Sequence, residues 1–350
     1  MRALTVIPLK AGSLSVTDVS DPKPGPDDLV VDGLAIGVCG TDKEIAAGEY
    51  GWAPDGADRL VLGHESLGRV RQAPDGSGFA VGDLVVGVVR RPDPVPCGAC
   101  AHGEFDMCRN GRYTERGIKQ LDGYGSQAWC VETDYVVKLD AGLERVGMLM
   151  EPTSVVAKAW DQVDGVGNRA WFEPKTALVT GAGPIGLLAA LIGVQRGLDV
   201  HVVDVVTGGP KPQLVSDLGA TYHHDPVDQV VDRLQPDVVI EATGVGQVVF
   251  DVIAGTGSYG VVCLTGVSPQ GRRLTIDAGT INREIVLQND CVVGSVNANL
   301  AHYAAAAGVL ARADVGWLER LITRRVLLER YEEAFDGQDD DVKVVITLDG

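Results

Sequence analysis

Apolar positions in this chain change rhythm near residue 150. Before that point they come in short runs broken by Gly or Pro. Examples are Leu29-Val30-Val31, Gly68-Arg69-Val70, Leu84 to Val89 and Tyr135 to Leu139. Brief β-type runs at this spacing predict a β-rich, barrel-like domain. The chain opens on RALTVIPLK, which alternates like an edge strand. From about residue 153 the pattern lengthens. Thr153 to Gln162 has helical spacing, Thr176 to Thr180 is a buried-strand run ending in Gly181, and Leu187 to Gln195 is again helical. Val200 to Val203 follows as a strand, then a Pro/Gly-rich loop from Gly208 to Pro212. Further strands are expected at Val238 to Glu241, Val261 to Thr265 and Cys291 to Ser295. Strands alternating with helices predict a parallel, doubly wound sheet of the α/β class. The tail predicts a helix at His302 to Ala311, a second helical stretch and a last strand, Val342 to Leu348, that returns to the first domain. The expected division is 1–155 with 300–350 as one domain and 156–299 inserted as the other, with a cleft between them.

Composition narrows this picture. A chain of 350 residues suits two domains. Its 45% hydrophobic and 22% charged content is that of a globular protein. A net charge of −18 argues against nucleic acid or an anionic membrane as partner. No charged-then-apolar leader is visible, and no apolar run reaches the ~18 residues that span a bilayer. A cytoplasmic location is expected. Seven cysteines are present, three of them between 97 and 108, a clustering that points to metal rather than to disulfides.

The run Ala177 to Thr180 leads into Gly181-Ala182-Gly183-Pro184-Ile185-Gly186 and then a helix. A G-x-G-x-x-G between a buried strand and a helix is a dinucleotide fingerprint: the glycines allow a tight turn, approach of the pyrophosphate and close helix–strand packing. Asp204, at the end of Val200 to Val203, fills the acidic position that accepts hydrogen bonds from the ribose hydroxyls. Val205 and Val206 follow it, and Lys211 is the nearest base. This favours NAD over NADP. Thr243 and Thr265 are further candidate contacts at strand ends.

Cys39, in Gly37-Val38-Cys39-Gly40-Thr41-Asp42, and His64-Glu65 supply a thiolate, an imidazole and a carboxylate, a donor set suited to Zn²⁺. Glu151 offers a fourth group near the domain junction. The third protein ligand is Glu65 or Glu151.

Those motifs, with Val81-Gly82-Asp83-Leu84-Val85, resemble the zinc-containing medium-chain dehydrogenases over the whole chain. Within them, Arg90-Arg91, Glu115-Arg116-Gly117-Ile118, Asp122-Gly123-Tyr124, Glu151-Pro152 and Val293 to Asn297 are similar to microbial glucose (aldose) 1-dehydrogenases. The resemblance implies a GroES-like β-barrel catalytic domain plus a Rossmann domain. It implies oxidation of an aldopyranose C1 hydroxyl to a lactone with NAD or NADP. Cys39 and His64 match metal ligands, Glu65 the carboxylate beside the zinc, Glu151 a direct or water-mediated ligand, and Thr41 the proton-relaying hydroxyl. Glu115, Asn297 and His302 fall where relatives place sugar contacts. A homodimer or homotetramer is implied as well.

Two departures stand out. Relatives that use NADP tend to carry Arg-Arg after the second Rossmann strand, where this chain has Asp204-Val205-Val206. The structural zinc lobe, C-x2-C-x2-C-x7-C in the family, keeps Cys97, Cys100 and Cys108 but lacks the third cysteine; His102, or else Glu104 or Asp106, stands as a candidate fourth ligand. Alternative readings are a dehydrogenase of a cyclitol, aminocyclitol or modified-sugar secondary hydroxyl, and a non-catalytic NAD-binding protein. Cys130, Cys263 and Cys291 are expected as buried small residues, and Trp160, Trp171 and Trp317 as packing residues. His201 is expected to be structural, His223-His224-Asp225 to lie in a loop, and Asp336 to Asp341 to form a solvated turn.

Overall fold

In the computed structural model, which describes residues 1–348 except 270 and 272, the chain divides into two compact units. One comprises Met1–Ser154 with Ala298–Gly350, the other Val155–Asn297.

The first unit is built on a seven-stranded sheet. Its path runs Val136–Lys138, Leu84–Gly87, Glu65–Gln72, Asp28–Val38, Lys343–Thr347, Ile322–Leu327, with Ala128–Glu132 also paired to Asp28–Val38. The long central strand is shared along one edge. Its first half pairs with Ala128–Glu132 and its second half, from Ala35 to Val38, with Lys343–Thr347. The last strand of the chain is thus interior to the sheet, between residues of the first forty and Ile322–Leu327. Alternation of apolar side chains packs Leu29, Val31, Ile36, Val85, Val131, Val344 and Ile346 into one core.

The second unit is a six-stranded parallel sheet in the order Thr221–His223, Asp199–Val203, Thr176–Thr180, Val238–Glu241, Val261–Leu264, Cys291–Gly294. Strand order reverses at Thr176–Thr180, the switch point at which such sheets bind dinucleotides. Its central strands are buried on both faces, as in a parallel sheet. No helix among the described residues is long and apolar enough to cross a membrane.

Several expectations need correction. Trp171 is 84% exposed rather than packed. It lies in the segment between Met150–Gly167 and Thr176–Thr180, where no element folds over it. His223 is in a strand, not a loop: Thr221–His223 pairs in parallel with Asp199–Val203, and His201 and His223 share a 2.9 Å Nδ1–Nε2 contact. The Gly208–Pro212 loop is cut short by a helix beginning at Pro210, whose fixed φ suits a first helical position. Cys130 and Cys291 are only partly buried, whereas Cys263 is buried, because their strands lie at sheet margins and its strand does not.

Trp160 and Trp317 are buried, and Trp160 also donates Nε1–H to the Ala189 carbonyl at 3.2 Å. Removing so large a side chain leaves a cavity. Trp160→Ala is expected to cost about 3–5 kcal/mol of stability, read as a lowered denaturant midpoint by far-UV circular dichroism.

Candidate metal centre and dinucleotide cradle

The metal candidates sit where two adjacent strands end. Asp28–Val38 delivers Cys39 as the cap of the short helix Gly40–Ala46, and Glu65–Gln72 starts directly after His64. Gly37 faces Glu65 across the register, and a Cβ at residue 37 would stand 1.9 Å from Glu65 Oε2. Only glycine leaves that carboxylate its place.

Cys39 Sγ lies 3.0 Å from His64 Nε2, and the ligand atoms of Cys39, His64 and Glu65 all lie within 4.8 Å of one another. Behind the imidazole, His64 Nδ1 is 3.4 Å from Asp42 Oδ1, and neither buried atom has a well-formed hydrogen bond. Such a carboxylate orients a ligating imidazole through its far nitrogen. Asp42 also accepts the Cys39 backbone N–H at 3.0 Å, so it braces both ligands.

Electrostatics show what the site requires. Burial alone would lower the His64 pKa, but the negative charge of Cys39 and Asp42 pushes it well above the ordinary imidazole value. Burial would raise Asp42, but His64 beside it holds it below the usual carboxylate range. Glu151 is pushed up to about 7, chiefly by burial, with Glu65 adding repulsion. A set of sulfur, nitrogen and oxygen donors, the last two buried and the sulfur partly so, with surplus negative charge fits Zn²⁺. Glu151 lies outside the tight three-residue group, yet it is close enough for the charges of His64 and Glu65 to act on it. Thr41 is half-buried in the first turn beside Cys39.

Sequence reasoning missed Lys343. Its ammonium, 1% exposed, donates to Glu65 Oε1 at 2.6 Å and Oε2 at 2.7 Å, and reaches the Val38 carbonyl at 3.4 Å. Burial opposes its charge, but Glu65 outweighs that and raises its pKa. A lysine in a terminal apolar strand carries no local signal of a partner so far upstream.

Of the expected sugar contacts, Glu115 is buried and accepts from Arg90 Nε at 3.0 Å and Nη2 at 2.8 Å. His302 is also buried; its Nδ1 accepts the Asn299 N–H at 3.1 Å, which places the ring proton on Nε2. Asn299 Nδ2 donates to Asp106 Oδ1 at 2.8 Å. Asn297 belongs to the second unit and has a positive φ of 62°.

The second cysteine cluster brings the ligand atoms of Cys97, Cys100 and Cys108 within 4.8 Å of one another. The structure does not bring His102 into it: the ring is exposed, with Nδ1 2.6 Å from the Gly98 carbonyl. Glu104 is exposed too, and Asp106 is engaged by Asn299. Backbone N–H groups of Cys100 and Arg109 bring the Cys97 thiol down to about 6, whereas burial pushes Cys100 up.

In the dinucleotide fingerprint, Gly183 caps the helix Pro184–Gln195, which starts on Pro184 and runs through Ile185. A Cβ on Gly186 would lie 1.8 Å from the Gly181 carbonyl, so the helix can approach the turn only with glycine there. Asp204 Oδ2 accepts the Ala182 N–H at 2.7 Å, and Lys211 Nζ stands 3.4 Å from it. Thr243 N and Thr265 Oγ1 bond to Glu241 at 2.8 and 2.7 Å through its side chain and carbonyl respectively. Buried Glu241, which sequence reasoning passed over, therefore organises both threonines.

Residues 25–141 match the model of the alcohol dehydrogenase GroES-like domain, and residues 144–348 that of the glucose dehydrogenase C-terminus. The chain belongs to the zinc-dependent medium-chain dehydrogenases, close to the glucose 1-dehydrogenases. It is 39% identical to the glucose 1-dehydrogenase of Methanocella arvoryzae and 41% identical to that of Thermoproteus tenax, each match covering 99% of both proteins. The glucose dehydrogenase of Haloferax mediterranei, solved with NADP, Zn and gluconolactone, superposes with a TM-score of 0.92 at 32% identity over all of both chains. Membership brings zinc and a nicotinamide cofactor with it.

Asp42→Asn should weaken zinc affinity about 10–100-fold, measured by competition with a chromophoric chelator. In metal-free protein Lys343→Met strands the Glu65 charge, and a loss of about 3–5 kcal/mol is expected on chemical unfolding; adding Glu65→Gln should recover part of it. Gly186→Ala should abolish dinucleotide binding in a calorimetric titration while zinc content is retained.

Proposed function

We propose that this chain oxidises the C1 hydroxyl of a glucose-like aldopyranose to the lactone, with NAD as the preferred acceptor. The observation that carries the reading is the convergence of Cys39, His64 and Glu65 in a chain that matches glucose 1-dehydrogenases end to end. When bound, zinc lowers the pKa of the sugar hydroxyl, and the nicotinamide takes up the hydride. Cys39 and His64 would hold the metal, with Asp42 fixing the imidazole. Glu65, gripped by Lys343, would stand beside the metal, and Glu151, buried close to it, offers a second carboxylate. Thr41 relays the hydroxyl proton outward. Glu115, Asn297 and His302 recognise sugar hydroxyls. Cys97, Cys100 and Cys108 supply three thiolates for a structural zinc.

The preference for NAD rests on Asp204, whose carboxylate is fixed by Ala182 and Val206 N–H groups. A negative charge there accepts ribose hydroxyls and repels a 2′-phosphate. The open margin of the parallel sheet at Cys291–Gly294, with Val292 exposed, supports a homodimer or homotetramer.

A panel of aldoses, polyols and cyclitols with reduction of nicotinamide as readout tests the activity. Glucose, galactose or xylose should react and cyclitols should not; the reverse pattern defeats the proposal. Comparing kcat/KM for the two cofactors should favour NAD, and Asp204→Ser should shift the ratio towards NADP by about tenfold or more, equivalent to about 1.4 kcal/mol.

A further inference from the structure

The cysteine lobe carries chemistry that sugar oxidation leaves unused. Three thiols meet there, and no fourth ligand joins them among the described residues. Cys97 and Cys100 are three residues apart at the start of the short helix Gly98–Ala101, with their sulfurs separated by 3.6 Å. That separation is within reach of the roughly 2.05 Å of a disulfide. The two thiols are unlike. Cys97 is partly exposed and its sulfur receives the Arg109 backbone N–H at 3.4 Å, whereas Cys100 is buried. The outer thiol is accessible to a reagent and the inner one is placed to follow.

We propose that Cys97 and Cys100 are a thiol–disulfide exchange pair, oxidised by a low-molecular-weight disulfide of the glutathione class when the lobe is free of metal. The Cys97 thiolate attacks one sulfur of the reagent, forming a mixed disulfide and releasing one thiolate. Cys100, its proton lost to solvent, then attacks the Cys97 sulfur and expels the second. The pair gives up two electrons and two protons, and one reagent disulfide becomes two thiols. Cys108 takes no part and remains reduced. Zinc binding draws on the same sulfurs as thiolates, so metal loading and oxidation exclude each other. The inference is independent of which sugar the protein oxidises.

The test uses the full chain, zinc-loaded and chelator-stripped, incubated with oxidised glutathione, alkylated and mapped by peptide mass spectrometry. The expected product is a peptide whose Cys97 and Cys100 have lost two hydrogens while Cys108 is alkylated. It should form at least about tenfold faster in the stripped protein, since thiolates committed to metal are withheld from exchange. Cys100→Ser should stop the reaction at a glutathione adduct on Cys97. A lasting adduct in the unsubstituted chain, a bridge to Cys108, absence of oxidation, or equal rates with and without zinc overturns the proposal; mapping of the unsubstituted chain decides the matter even if the variant does not fold.

Discussion

Surplus negative charge, buried at the meeting of two strand ends, is the constraint around which the first unit is arranged. Cys39, Asp42, Glu65 and Glu151 cannot be drawn together in a low-dielectric interior without compensating positive charge. In the metal-free protein a raised His64 meets part of that need, zinc would take its place over a neutral imidazole, and Lys343 supplies a cation in either state. The lysine arrives from 278 residues downstream of Glu65. Its strand must pair with the second half of Asp28–Val38 to bring it there. Topology and electrostatics are therefore one requirement: the sheet order places the cation, and the cation allows the ligands to be buried.

Most of this was readable in sequence where chemistry is local. Cys39 and His64-Glu65 announce a metal by residue type, and the strand–glycine turn–helix passage at 176–186 announces a dinucleotide by geometry that few other residues tolerate. The last strand, expected to return to the first unit, does pair there with Asp28–Val38. What escaped was non-local. Lys343 looks like an ordinary flanking charge, Glu241 like the polar end of a strand, and Asp106 like a spare oxygen for the cysteine lobe. Each acquires its role from a partner distant in sequence, Glu65, Thr265 and Asn299 in turn. Trp171 erred the other way, since residue type suggests burial but nothing in the fold covers it.

The two cysteine clusters show how residue type underdetermines chemistry. Cys39 is one soft donor among nitrogen and oxygen donors, braced from behind by Asp42, an arrangement that keeps room for substrate. The Cys97 lobe has only sulfur, and its expected fourth ligand, His102, bonds instead to the backbone of its own short helix. Its thiols differ in exposure, with Cys97 partly open to solvent and Cys100 buried behind it.

The interior placement of Lys343–Thr347 also bears on the order in which the protein is made. A chain emerging from the ribosome exposes residues 155–297 in full before the closing strand has been synthesised. Domains generally fold as units during synthesis, so the dinucleotide unit has all its strands while the metal unit still lacks the one beside Asp28–Val38. For that interval the half destined to bind zinc presents an unpaired strand edge and an uncompensated cluster of acids. Synthesis of Lys343–Thr347, rather than of the first hundred and fifty residues, completes the metal site.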